Sequence, residues 1–224
     1  MKAVKAFPGA RGVDSHPFSV GGTAVQARAL KATGIDFFIG YLGLIDKIRL
    51  RHVIDAGLAF MPVTLAARYD GGQAVAQCNA LGLPKGIVVW LDLEGLDAWN
   101  TPAPKLMTKI EAWAAKVVAA GYIAGLYVGA PQPLNGKQLY ALKGITRYWL
   151  GIGRCVGKEP KAKKEFTGLP DGIIDAYPER GWCVRQDWHG QKTGMYWKNT
   201  GVFVDTNSVQ VDHKGDLPVW AVAA

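Results

Sequence analysis

Eight short apolar runs, separated by stretches of helical periodicity, constrain the fold of this chain more than any other feature. Strand-like and helix-like segments alternating from end to end imply parallel strands joined by helical crossovers. Residues 12–16 read as the first strand, followed by a helix over 23–33 that Gly34 ends. The second strand is 37–42, the second helix 45–56 with Gly57 closing it, and the third strand 59–66. A helix over 73–81 leads to a fourth strand at 86–93. After Thr101-Pro102, a helix over 105–120 places Leu106, Ile110, Trp113, Val117 and Val118 on one face, and Gly121 ends it. Strand five is 122–129, a short helix covers 139–142, and strands at 147–152, 182–187 and 201–205 complete the set. Eight is the number at which such a sheet closes. The predicted fold class is therefore α/β: a single (β/α)8 TIM-type barrel over 1–224, its late helices weak or missing.

Length and composition agree with one folded domain. A chain of 224 residues supports one substantial core, and 49% hydrophobic with 20% charged residues is too rich in buriable side chains for disorder. No stretch approaches the roughly 20 apolar residues of a membrane span. The basic start MKAVKAFPGARGVD has no apolar run of signal-peptide length, so a cytoplasmic location in the producing cell is expected. Cys78, Cys155 and Cys183 are odd in number and lack C-x-x-C spacing, which predicts buried free thiols rather than disulfides or zinc. The net charge of +8 favours polyanionic surroundings, whether nucleic acid, a membrane surface or an anionic wall polymer. Without an arginine-rich helix, zinc-finger spacing or RNP-like aromatic strand, nucleic acid is not an expected partner. The lysine-rich segment 157–170 reads as an exposed loop, and the apolar 218–224 as a segment packed across the barrel or an interface.

Catalytic groups of parallel barrels sit at the carboxyl ends of the strands, and four acids stand at such positions. The sharpest signal is Ile87-Val88-Val89-Trp90-Leu91-Asp92-Leu93-Glu94-Gly95, a buried strand followed by acids two residues apart, so that both side chains share one face. If that face is the barrel interior, repulsion and burial should raise the pKa of one acid of the pair. The bland alternative is a buried ion-pair network with Arg68, Arg147 or lysines. Asp14 ends strand one, where it could equally cap a helix, and Asp205 ends strand eight, which in a closed barrel returns beside strand one. Asn207 follows Asp205. Gln186, Asp187 and Trp188 on strand seven offer an amide, an acid and an aromatic suited to the hydroxyls and apolar face of a sugar. Tyr41, Tyr127 and Trp149 end strands two, five and six and are further candidates to line the cleft.

Several chemistries are unsupported. His16, His52, His189 and His213 lack metal-binding spacing, and there is no nucleophile elbow, phosphate-binding loop or dinucleotide fingerprint. Neither a metal nor a cofactor is expected.

The motifs G-V-D-S, W-L-D-L-E-G, R-Q-D-W and F-V-D-T-N, in that order along the strands, resemble the family 25 lysozyme-type glycoside hydrolases. The stretches F-F-I-G-Y-L-G and D-A-G-L-A-F-M-P-V resemble more closely a related glycoside-hydrolase-like barrel domain of unknown function, number 1906. The resemblance implies a barrel that cleaves peptidoglycan as an N-acetylmuramidase, common in phage endolysins. It maps the proton donor onto Glu94, its companion onto Asp92, and the strand-one and strand-eight acids onto Asp14 and Asp205. Strand seven departs from the family pattern in carrying Arg185 where an aromatic usually precedes Gln186. The expected partner is peptidoglycan or another polysaccharide, bound by a monomer that acts on the wall after release. The alternatives are a non-catalytic glycan-binding or virion-associated barrel and a glycosidase for a different polysaccharide.

Overall fold

The computed structural model describes residues 1–65, 68–129, 133–151, 181–189, 197 and 200–224. Ten strands and seven helices occur among them. In chain order these are β1 (Lys2–Lys5), β2 (Arg11–Asp14), α1 (His16–Gly21), α2 (Ala24–Ala32), β3 (Phe37–Tyr41), α3 (Lys47–Asp55), β4 (Ala59–Val63), α4 (Gly71–Leu81) and β5 (Val88–Asp92). There follow α5 (Leu96–Asn100), α6 (Ala103–Ala119), β6 (Ile123–Val128), α7 (Gly136–Ala141), β7 (Ile145–Leu150), β8 (Val184–His189), β9 (Asp205–Val209) and β10 (Val219–Val222).

Eight of the strands close on themselves in the order β4-β3-β2-β9-β8-β7-β6-β5, with β5 returning to β4 through the pairing of Val63 with Trp90. The pairs from β2 to β3, β4, β5, β6, β7 and β8 are parallel. The eighth strand departs from this pattern. Instead of a parallel run over 201–205, β9 begins at Asp205 and lies antiparallel to both β2 and β8. A strand that runs backwards offers its first residue, not its last, to the mouth where the parallel strands end. Asp205 opens its strand, contrary to the sequence reading, and still arrives at that mouth.

Strand alternation divides the apolar residues into two shells. Inside the barrel lie Phe37 and Ile39 of β3, Ala59, Met61 and Val63 of β4, Val88 and Trp90 of β5, and Trp149 of β7. Outside, Phe38, Phe60, Val89, Leu91 and Leu126 pack under the helices, against Leu30, Leu50, Val53, Ile110, Trp113 and Val117 among others. Two bulky interior side chains fit because glycine stands opposite them: a Cβ on Gly12 would overlap the Phe37 ring, and one on Gly125 would overlap Trp90. Side-chain caps define where several helices begin, with Ser15, Thr23, Asp46, Asp70 and Asn135 each accepting a first-turn backbone N–H. Ser15 explains why strand one stops at Asp14 rather than at 16: the next residue is already the cap of α1, a helix the sequence reading did not foresee.

The chain ends seal the bottom of the barrel. Strands β1 and β10 form an antiparallel ribbon, joined to β4 through Ala221 opposite Phe60. This bears out the expectation that 218–224 packs across the barrel, while β1 was not expected. Trp220 is buried with its ring centroid 5.5 Å from Phe37 and 5.7 Å from Phe7. Arg147 ties the same segment to β7, pairing with Asp216 at 2.9 Å and donating to the Leu217 carbonyl at 2.9 Å. Cys78 and Cys183 are free and buried, as expected, and burial pushes both thiols up to about 12. Cys155 and the 157–170 segment lie outside the described residues. Trp220→Ala is expected to cost about 3–5 kcal/mol, read as a lowered urea midpoint, with the site at the opposite end unchanged in ligand binding.

Candidate functional site

The inward column of β5 runs Val88, Trp90, Asp92, so the apolar packing that orients the strand also aims Asp92 into the mouth of the barrel. Its backbone N–H donates to Thr64 Oγ1 at 3.2 Å, which anchors the end of β5 to the residue after β4. Glu94, two residues on, turns the same way and lies over Gly129 at the end of β6, where any Cβ would overlap its carboxylate. The spacing of two thus brings both acids to one recess, as the sequence implied.

Asp14 and Asp205 reach the recess as direct partners across the β2–β9 ladder. With Asp92, Glu94, Tyr41, Val63, Tyr127, Trp149 and Gln186 they line an open space of about 390 Å³. The capping alternative for Asp14 falls away, because Ser15 caps α1 and leaves the Asp14 carboxylate to face inward. The ion-pair alternative loses Arg147, which is engaged at the far end of the barrel with Asp216. No lysine, arginine or histidine side chain lines the recess among the described residues. Among the described residues, no group of three or more His, Cys, Asp or Glu side chains is arranged to hold a metal ion.

Donors from the strands beneath meet these acids. The Trp149 indole N–H donates to Asn207 Oδ1 at 2.9 Å, and Asn207 Nδ2 donates to Asp14 Oδ1 at 2.7 Å. Gln186 Nε2 donates to Asp205 Oδ2 at 3.1 Å and stands 3.4 Å from Asp14 Oδ1. The Tyr127 hydroxyl is 2.9 Å from Gln186 Oε1 and 3.2 Å from Glu94 Oε1. Tyr127 also packs on Trp149 with centroids 4.4 Å apart, and His16 meets the edge of Tyr41 at 5.6 Å.

The electrostatic cost falls on the deepest acids. Burial, and then Glu94 beside it, push the Asp92 carboxyl well above the ordinary carboxylate range, against the opposing backbone N–H of Glu94. Asp92 Oδ1 is buried without a hydrogen-bond partner among the described residues. Asp14 is raised by burial and then by Asp205, with Asn207 and Gln186 acting in the opposite sense. Tyr41 and Tyr127 are pushed up by burial and by the surrounding acids, so both hydroxyls stay protonated.

Asp14, Asp92, Glu94, Asp205, Tyr41, Tyr127, Trp149 and Gln186 therefore converge. Asn207 does not line the recess; it is buried beneath it and holds Asp14. Asp187 and Trp188 belong to β8, whose register shifts between Gln186 and Trp188, and their side chains lie outside the described set. The sequence reading missed Val63, Thr64, Gly129 and Gly151; a Cβ on Gly151 would crowd the Tyr127 hydroxyl. A glycine directly after an apolar strand was the available signal for the last two.

The sequence matches no protein-family model and no curated protein sequence. A solved structure, described as a 1.07 Å crystal structure of an uncharacterized B. stearothermophilus protein, superposes with a TM-score of 0.63 over 90% of this chain and 96% of that one, at 18% identity. The two share a fold. A xylose isomerase domain containing protein from Salmonella typhimurium aligns with a TM-score of 0.42 and 11% identity, over 74% of this chain and 67% of that one.

An acid whose pKa is raised by folding destabilises the native state increasingly as pH rises from its ordinary value to the raised one, and costs nothing when both states are protonated. Asp92→Asn removes the charge at nearly constant shape. The variant is expected to melt above the wild type at neutral pH, by roughly 2–4 °C for about 1 kcal/mol in a chain of this size. Thermal scans should show that gain fading as pH falls below the ordinary carboxylate range. A melting temperature unchanged or lowered at neutral pH contradicts the reading of Asp92.

Proposed function

We propose that this chain is a glycoside hydrolase of the muramidase type, acting on peptidoglycan and carried on a variant of the (β/α)8 barrel. The observation that supports it best is the convergence of Asp14, Asp92, Glu94 and Asp205 with Tyr41, Tyr127 and Trp149 in one recess at the strand ends. Carboxyls supply the acid and the charge that glycosidic cleavage needs, and aromatic faces suit the apolar side of a pyranose.

Glu94 is the partly exposed member of the pair and extends past the strand end, within reach of a leaving oxygen. Its role is to protonate that oxygen. Asp92, buried below, faces the sugar carbon where positive charge develops, or accepts the N–H of the substrate's own acetamido group at its unpartnered Oδ1. Ionised Asp92 is costly because it is buried and is stabilised by positive charge in the transition state, so the interaction is strongest where it accelerates the reaction. Asp14 and Asp205, fixed by Asn207 and Gln186, orient the sugar or a water. The net charge of +8 suits a wall bearing acidic groups. No helix among the described residues is long and apolar enough to cross a membrane.

Glu94→Gln is expected to lower the release of reducing sugar from purified peptidoglycan by about 10²–10⁴-fold while leaving the fold intact. Asp92→Asn should cause a comparable loss in kcat despite its gain in stability. Gly129→Ala, which displaces the Glu94 carboxylate, should lower kcat without removing a charge. Wild-type protein that releases no sugar from several wall types, or a Glu94→Gln variant of undiminished activity, overturns the assignment.

A further inference from the structure

The hydrogen bonds at the floor of the recess have a direction that can be read from one end. An indole N–H only donates, so at Trp149 the bond to Asn207 fixes Oδ1 as the acceptor and turns the Asn207 NH2 toward Asp14. Asp14 and Asp205 thus present acceptor oxygens to Gln186, whose NH2 must face them. The Gln186 carbonyl then points to Tyr127, at 2.9 Å. A phenol has one proton and two lone pairs. With that proton given to Gln186, the shorter of its two contacts, Tyr127 turns a lone pair to Glu94 Oε1 at 3.2 Å.

We propose that Tyr127 is a positioning residue that keeps Glu94 protonated, accepting a hydrogen bond from the neutral Glu94 carboxyl while donating its own proton to Gln186. The inference rests on the functional reading above in assigning Glu94 as the acid, and deepens it by naming what holds the proton there. The surroundings act in the same sense. Among the described residues, the titratable groups that line the recess with Glu94 are Asp92 from its own segment, Asp14 from β2, Tyr41 from β3, Tyr127 from β6 and Asp205 from β9. Each ionised carboxylate among them disfavours a second charge on Glu94. Gly151 completes the device: only the absence of a Cβ there leaves room for the Tyr127 hydroxyl in this position.

The sign of the effect tests the direction of the bond. If Tyr127 accepts from Glu94, Tyr127→Phe removes a partner of the neutral form, and Glu94 loses its proton at lower pH. If Tyr127 instead donates to an ionised Glu94, the same change moves the titration to higher pH. Glutamate is scarce, five in 224 residues, so protein labelled with ¹³C at the glutamate carboxyl allows Glu94 to be followed directly and assigned with Glu94→Gln. Gln186→Met supplies a second variant: it keeps the phenol but removes its acceptor, freeing the proton to turn to Glu94. The expected result is a downward shift in both variants, and a matching downward shift of the basic limb of the kcat profile on peptidoglycan. An upward shift in Tyr127→Phe, or a Glu94 titration unmoved in both variants, overturns the proposal. The carbon titration is independent of turnover. A protein inactive on every wall with the expected shift would refute the glycosidase reading and leave the Tyr127 device standing.

Discussion

The antiparallel ladder between β2 and β9 is the constraint on which the site depends. Seven strands running one way deliver their last residues to the mouth, and the eighth delivers its first. Across that ladder Asp14 and Asp205 are register partners, placed side by side by backbone hydrogen bonds rather than by any attraction between them. Like charges do not assemble on their own, and the sheet does the assembling. Closure of β5 onto β4 then brings Asp92 and Glu94 to the same opening.

Holding four acids together is unfavourable, and the interior is built to limit that cost without abolishing it. Trp149, Asn207, Gln186 and Tyr127 form a chain of donors from the apolar middle of the barrel to its polar rim. Asp14 receives two of these donors, whereas Asp92 keeps a bare buried oxygen. A fold selected only for stability would neutralise or pair that oxygen. Stability is lowered there, because a buried carboxyl oxygen without a hydrogen-bond partner among the described residues is left uncompensated. At the far end Trp220 and Phe37 pack beneath the terminal ribbon, with the Arg147–Asp216 pair beside it.

Much of this was legible in residues 87–95. Five apolar residues ending in D-L-E specify a buried strand with two acids on one face, and period-two geometry needs no tertiary information. Tyr41, Tyr127 and Gln186 were legible for the same reason, each sitting on the inward phase of its strand. Asn207 was legible as a polar group near the acids but not as a support lying beneath them, because depth along a strand depends on the shear of the whole barrel. Gly129 and Gly151 were overlooked because their role is to have no side chain, and the groups that occupy the vacated space come from other strands.

The sequence by itself determined the alternation of strands and helices, the number of strands that close the barrel, and the shared inward phase of Asp92 and Glu94. These follow from local periodicity and from caps and stops such as Gly34, Gly57 and Gly121. Only the tertiary structure decided that the eighth strand runs backwards from Asp205, that the chain ends plug the bottom, and that Asp92 is buried deeply enough to raise its pKa. Strand direction depends on how a distant segment returns to the sheet, and desolvation depends on everything that surrounds a group. Neither is encoded in any stretch of residues short enough to be read alone.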